Sequence, residues 1–170
     1  IFNDENRITT KEVNYNNKVE PVINQGKEGY TFKYWSTEEN GEEYNFNTLV
    51  TEDTTLYAVY EINTYTVTYI NEGSEYHKEE LTYRSKHEKI EDPFKTGYTF
   101  IGWYNENEEK VEYPITVTKD ITLHSKYEIN KYTVTYINEG AKYIEDQQIN
   151  YKEKAVKPDN RRSIIYSDDN

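Results

Sequence analysis

Glu61-Ile62-Asn63-Thr64-Tyr65-Thr66-Val67-Thr68-Tyr69-Ile70-Asn71-Glu72-Gly73 recurs as Glu128-Ile129-Asn130-Lys131-Tyr132-Thr133-Val134-Thr135-Tyr136-Ile137-Asn138-Glu139-Gly140, an offset of 67 with one substitution. Within it Tyr65, Val67 and Tyr69 alternate with threonines, the period of a strand with one face in a core and one in water. A fixed period of this length means a repeat array, and that overrides the single domain that 170 residues would otherwise suggest.

Outward from this stretch, Gly29-Tyr30-Thr31-Phe32 and Trp35 recur at Gly97-Tyr98-Thr99-Phe100 and Trp103, an offset of 68. Val50-Thr51, Asp53, Thr55-Leu56 and Tyr60 recur as Val117-Thr118, Asp120, Thr122-Leu123 and Tyr127 at 67, so one residue is lost in a polar loop, where loss is tolerated. Extrapolating the 68-residue offset backward sets Ile1-Phe2-Asn3-Asp4 under Tyr69-Ile70-Asn71-Glu72 and Tyr15 under Tyr83; Tyr143 and Tyr151 hold equivalent places in a third copy. The expected units are 1–62, a first repeat lacking the start of its first strand; 63–129, a complete repeat; and 130–170, a partial repeat whose tail, Arg162 to Asn170, only echoes the Lys33 to Asn40 stretch.

Each complete repeat carries four strand signals. In the second they are Tyr65–Tyr69, a charged edge strand near Tyr76–Tyr83, Tyr98–Trp103, and Leu123–Tyr127. The last matches Leu56–Tyr60, whose alternation points Leu56, Ala58 and Tyr60 inward. Between Ser85 and Asp92 there is room for one or two helical turns before Pro93 discourages helix. The expected class is therefore α+β, mostly β: small β-grasp-like modules of ββ(α)ββ order. About four residues separate successive modules, with no Gly, Pro or Ser run, so the linkage is short of slack and the arrangement elongated.

Composition narrows function by exclusion. Hydrophobic residues are 34% of the chain and charged residues 31%, with mean hydropathy −1.09, values of a disordered chain were aromatics scarce. Nineteen Tyr, five Phe and two Trp remove that reading and predict a core built largely from tyrosine. A net charge of −12 repels nucleic acid and anionic head groups. Cysteine is absent, which excludes disulfides and thiolate metal sites. No apolar run approaches a membrane span, so no membrane insertion is expected within this segment.

Gly-Tyr-Thr-Phe-x-x-Trp, then Val-Thr-x-Asp-x-Thr-Leu, then a Tyr-rich strand end resembles the Listeria–Bacteroides repeat, the B-repeat type of module in internalins. The resemblance covers nearly all of residues 1–158. It implies a β-grasp-like module in secreted or wall-anchored bacterial proteins, usually in tandem, acting as a spacer and sometimes in protein association or host contact; self-association, through unpaired strand edges at the two cut repeats, and contact with a host glycoprotein are separate expectations for this chain. Family members usually carry Trp near the final strand, where this chain has Tyr60 and Tyr127, and Gly before the signature Trp, where the first copy has Tyr34. On this resemblance the chain is expected to be an extracellular or cell-surface segment of an adhesin or internalin-like virulence protein.

No constellation for catalysis, metal or cofactor is found. His77, His87 and His124 share no metal-ligand spacing and recur in no other copy, so they are expected at the surface. No nucleophile elbow occurs. The acidic stretches Asn40–Glu43 and Asn105–Glu109 lack the calcium-loop spacing and are expected as solvated hairpin tips. Gly29, Tyr30, Phe32, Trp35, Leu56 and Tyr60, with Gly97, Tyr98, Phe100, Trp103, Leu123 and Tyr127, form the structural signature. Tyr44, Tyr57, Tyr104 and Tyr113 lie beyond the inward faces and are the candidates for a contact surface. The alternative function drawn from them is glycan or mucin binding, since an amphipathic ring stacks and hydrogen-bonds at little entropic cost.

Overall fold

A computed structural model describes residues 1–4 and 7–158; the expected echo at Arg162–Asn170 lies outside them. The elements are β1 (Phe2–Asp4), β2 (Arg7–Thr9), β3 (Tyr30–Ser36), β4 (Leu56–Ile62), β5 (Thr64–Asn71), β6 (Ser74–Thr82), β7 (Lys86–His87), β8 (Tyr98–Tyr104), β9 (Ile115–Thr116), β10 (Ile121–Ile129), β11 (Lys131–Val134), β12 (Ile137–Asn138), β13 (Ala141–Lys142) and β14 (Gln147–Asn150). The first repeat is a four-stranded sheet ordered β2-β1-β4-β3, and the second repeats it as β6-β5-β10-β8. In both, two antiparallel hairpins are joined through a parallel central pair, β1 with β4 and β5 with β10.

The alternation read from the sequence sets the faces. Val67 and Tyr69 are 0% exposed, and with Trp103, Val117 and Leu123 they make the core of the second repeat. Its counterpart in the first is Phe2, Val19, Trp35 and Leu56. Each core is organised around a T-shaped aromatic pair: Tyr69 on Trp103 at 4.8 Å and Phe2 on Trp35 at 5.0 Å. β6 is charged and exposed almost throughout, as suits a sheet edge that must not pair with other chains. A bulge recurs in the third strand, leaving Lys33 unpaired in β3 and Ile101 in β8. Val59, opposite Tyr34 just past this bulge, is buried as well, apart from the cluster that holds Leu56 and Ala58.

Three expectations are corrected. No helix occurs among the described residues. Eight residues are too few to hold a helix on their own, and the backbone of the crossover is claimed elsewhere. The Arg84 amide donates to the Val117 carbonyl at 2.6 Å, the Val117 amide donates to Ser85 at 3.1 Å, and β7 pairs with β9. Second, Phe2 pairs with Leu56 where Tyr69 pairs with Leu123, so Phe2 corresponds to Tyr69 and not to Ile70. The extra residue that separates the two offsets is Tyr76, skipped in the β5–β6 register and without counterpart in β1–β2. Third, one residue and not four separates the modules: Asn63 stands alone between β4 and β5, and Asn130 between β10 and β11.

In the third copy β11 pairs with β14 and β12 with β13, the counterpart of the β5–β6 hairpin split in two.

Candidate functional site: the joint between repeats

The two single-residue linkers are built alike. The Asn63 amide donates to the Gly29 carbonyl at 2.9 Å and its own carbonyl accepts the Tyr83 amide at 2.8 Å. At the next junction the Asn130 amide donates to Gly97 at 2.9 Å and its carbonyl accepts the Tyr151 amide at 2.9 Å. The linker side chain is held too: Thr31 and Thr99 each donate a hydroxyl to the Oδ1 of Asn63 and Asn130 at 2.7 Å. One asparagine thus ties the start of the third strand of one repeat to the end of the first hairpin of the next.

The glycines explain why this works. Gly29 and Gly97 have φ of +78° and +80°, where a β-carbon is strained. The space that a β-carbon would take is filled by the following repeat: the nearest ring carbon of Tyr83 would lie 1.9 Å from it at Gly29, and that of Tyr151 2.0 Å from it at Gly97. Each plug ring meets the tyrosine after the glycine edge-on, Tyr83 with Tyr30 at 6.3 Å and Tyr151 with Tyr98 at 6.4 Å, both at 74°. A cation covers each plug, Arg84 over Tyr83 at 5.1 Å and Lys152 over Tyr151 at 5.3 Å. The same occurs on the socket side, where Lys27 lies over Tyr30 at 4.1 Å and Lys95 over Tyr98 at 4.3 Å. Lys95 also pairs with Glu72, which holds its ammonium above the usual lysine range.

The signature residues therefore divide by job. Trp35, Leu56, Trp103 and Leu123 are core, and Phe32 and Phe100 pack against it. Gly29, Tyr30, Gly97 and Tyr98 form the sockets. Tyr60 accepts from the Asn24 side chain at 2.8 Å and Tyr127 donates to Asn71 at 2.7 Å, so both hydroxyls anchor the outer end of the fourth strand. Burial holds the Tyr127 phenol above its usual range. Of the four contact candidates, Tyr44 and Tyr113 pack half-buried against the two cores. Tyr57 lines a shallow surface pocket with Asn3, Glu39, Asn40 and Ala58. Tyr104 is half-buried beneath the Lys126 ammonium, 4.4 Å from its ring.

His87 is not the surface residue expected of it: it is 5% exposed. Its Nε2 lies 2.8 Å from the Tyr69 hydroxyl and its Nδ1 3.2 Å from the Glu79 carboxylate, and Tyr69 continues to the Tyr113 hydroxyl at 3.1 Å. Burial and then the bond to Tyr113 hold the Tyr69 phenol well above the ordinary tyrosine range; burial also raises Tyr113. In the first repeat the corresponding residues are Phe2, Val19 and Phe46, all apolar. The chain of hydrogen bonds is thus a property of one repeat, laid over a position that the fold needs only to be filled. His77 and His124 lie at the surface.

Among the described residues no group of three or more His, Asp or Glu could hold a metal ion, and no helix is long and apolar enough to cross a membrane.

Two sheets of identical strand order, a partial third, and joints closed by recurring Asn, Gly and Tyr define a tandem array of small β repeats. The chain belongs to the Listeria-Bacteroides repeat domain family, which matches residues 1–59 and 65–126. It is 32% identical over 162 residues to a protein of Evansella cellulosilytica with a provisional membrane-protein name, covering 92% of this chain and 24% of that one. A second protein of that organism, provisionally named a Gly-rich membrane protein, is 32% identical over 162 residues, 92% of this chain and 19% of its own length. Internalin H of Listeria monocytogenes is 32% identical over 137 residues, 76% of this chain and 25% of its length. The chain thus spans about a quarter or less of the relatives it matches.

Proposed function

We propose that this chain is a non-enzymatic spacer and protein-interaction segment of a bacterial surface or secreted protein, its β-grasp-like repeats at 1–62, 63–129 and 130–170 held in a fixed mutual orientation. The observation that carries this is the joint. Each linker is a single asparagine with its amide, carbonyl and side chain all bonded, and each following tyrosine is seated on a glycine of the preceding repeat. A flexible tether has none of these constraints. The β-grasp reading is supported by the two hairpins joined through a parallel central pair, with an extended crossover in place of a helix. Internalin H among the relatives supports a place at the cell surface or outside it.

Small-angle scattering tests the reading. The wild-type chain should give the profile of an extended, rigid particle, and the double variant Tyr83→Ala, Tyr151→Ala should give a broader distribution of dimensions with each repeat still folded. A wild-type profile already fitted by freely jointed repeats would overturn it.

A second reading, glycan or mucin binding, draws on Tyr57, which lines an open pocket of about 290 Å³ together with Asn3, Glu39, Asn40 and Ala58. An aromatic face next to amide and carboxylate oxygens suits a sugar ring. Binding on a glycan array that disappears with Tyr57→Ala, or with Tyr104→Ala on the second repeat, would establish it.

A further inference from the structure

Tyr15 occupies the position of Tyr83 and Tyr151, and the turn that presents it is already formed. The Asn17 amide donates to the Asn14 carbonyl at 3.0 Å, as Ser85 does to Thr82 at 3.0 Å and Glu153 to Asn150 at 3.0 Å. The next residue has a positive φ in all three copies: Asn16 at 61°, Arg84 at 61° and Lys152 at 66°. The turn is fastened to the loop before the fourth strand in the same way, the Asn16 amide donating to Val50 as Arg84 does to Val117. Only the ring differs. Tyr83 is 6% exposed and Tyr15 is 73% exposed.

Holding a tyrosine ring in water on a turn that is already fixed in place exposes a large apolar face and costs free energy without return. At both other positions that cost is offset by the same partner: a positive-φ glycine, the tyrosine after it, and a linker asparagine bonded to both repeats. We propose that Tyr15 is the docking residue for a further repeat of this kind, joined ahead of it in the same polypeptide through a linker as short as Asn63, with its ring seated on that repeat's Gly-Tyr. This rests on reading the joint as the element that fixes one repeat against the next. Docking between separate copies of this chain is disfavoured, because both sockets that the described residues contain are already filled from within, Gly29 by Tyr83 and Gly97 by Tyr151.

The test extends the whole chain by a second copy of residues 1–67, carrying Tyr15→Phe so that only the original Tyr15 is read, placed ahead of Ile1. Val67 then runs into Ile1 and Phe2 as it runs into Thr68 and Tyr69, which keeps the strand register. Nitration of each tyrosine is mapped by mass spectrometry in the original and extended chains, and each is compared with its Tyr15→Ala variant by thermal unfolding. Tyr15 is expected to react freely in the original chain and to be protected at least several-fold in the extended one. Tyr15→Ala should leave the original melting temperature unchanged. In the extended chain it should lower the melting temperature by about 2–4 °C for each kcal/mol of lost contact. Gly29→Ala in the added copy alone should restore the reactivity of Tyr15. Equal nitration in the two chains, or a Tyr15→Ala effect of the same size in both, would overturn the proposal. So would a dimer of the original chain in sedimentation that Tyr15→Ala dissolves, since the partner would then be a second molecule. None of these outcomes depends on Tyr83 or Tyr151, whose scattering test stands or falls separately.

Discussion

The ring of Tyr83 lies where a side chain on Gly29 would have to be: a β-carbon built on that glycine would fall 1.9 Å from Cδ1 of the tyrosine. Two repeats meet at this point with no room for a methyl group. Gly29→Ala must therefore both place alanine in the left-handed region, at about 1–2 kcal/mol, and push the ring out. The expected result is a lower melting temperature, together with greater solvent accessibility of Tyr83 in hydrogen exchange or nitration. A Gly29→Ala protein with wild-type stability would show that the ring moves aside at no cost.

The hydroxyl of Tyr83 is buried and has no hydrogen-bond partner. A buried polar group left unsatisfied costs about 1–3 kcal/mol. Tyr83→Phe should consequently keep the joint and match or exceed wild-type stability in chemical denaturation, whereas Tyr83→Ala should lose both. If the phenylalanine variant is as unstable as the alanine one, the hydroxyl has a role that ring packing does not explain.

His87 sits between Tyr69 and Glu79, while the first repeat fills the matching volume with Val19. His87→Val alone removes the stronger of the two partners of the Tyr69 hydroxyl and should cost about 1–3 kcal/mol. The triple variant Tyr69→Phe, His87→Val, Tyr113→Phe copies the apolar set of the first repeat and should recover most of that loss. Denaturation midpoints of the single and triple variants decide it; a triple variant weaker than the single one would mean the polar chain is a net source of stability.

Alkali should unfold this protein through its tyrosines. In the unfolded chain a phenol ionises near pH 10, whereas burial holds Tyr69, Tyr113 and Tyr127 protonated to higher pH in the fold. A raised folded value contributes stability that is complete below about pH 10 and is lost as pH rises through the folded value. The denaturation midpoint should stay level from neutral to about pH 9 and fall beyond pH 10. Tyr69→Phe should soften the fall, and an unchanged alkaline slope in that variant would remove Tyr69 from the account.

The strands were legible because their signal is local. Tyr65, Val67 and Tyr69 announce one face of β5 by alternation alone, and repetition at 67 and 68 residues gives the positions of the other copies. The crossover was not legible. Ser85 to Asp92 carries no periodicity, and its conformation is set by the bonds of Arg84 and Ser85 to Val117, a partner more than thirty residues away. His87 was misplaced for a related reason: a residue found in only one copy looks dispensable, yet Val19 and His87 fill one volume with different chemistry. The joint left a trace in the recurrence of Tyr15, Tyr83 and Tyr151, but spacing alone could not say that the recurring ring belongs to the preceding repeat.

The unlike interiors of the two repeats bear on how neighbours avoid trading parts while they fold. Tandem units of similar sequence are prone to exchange equivalent strands, and β5 could in principle be taken up by the sheet of the first repeat. There the Tyr69 hydroxyl would face Val19 and Phe46 with no acceptor, and His87 would be left behind without its partner. Each error strands a polar group, so the difference between Phe2 and Tyr69 works as an address that directs each strand to its own sheet.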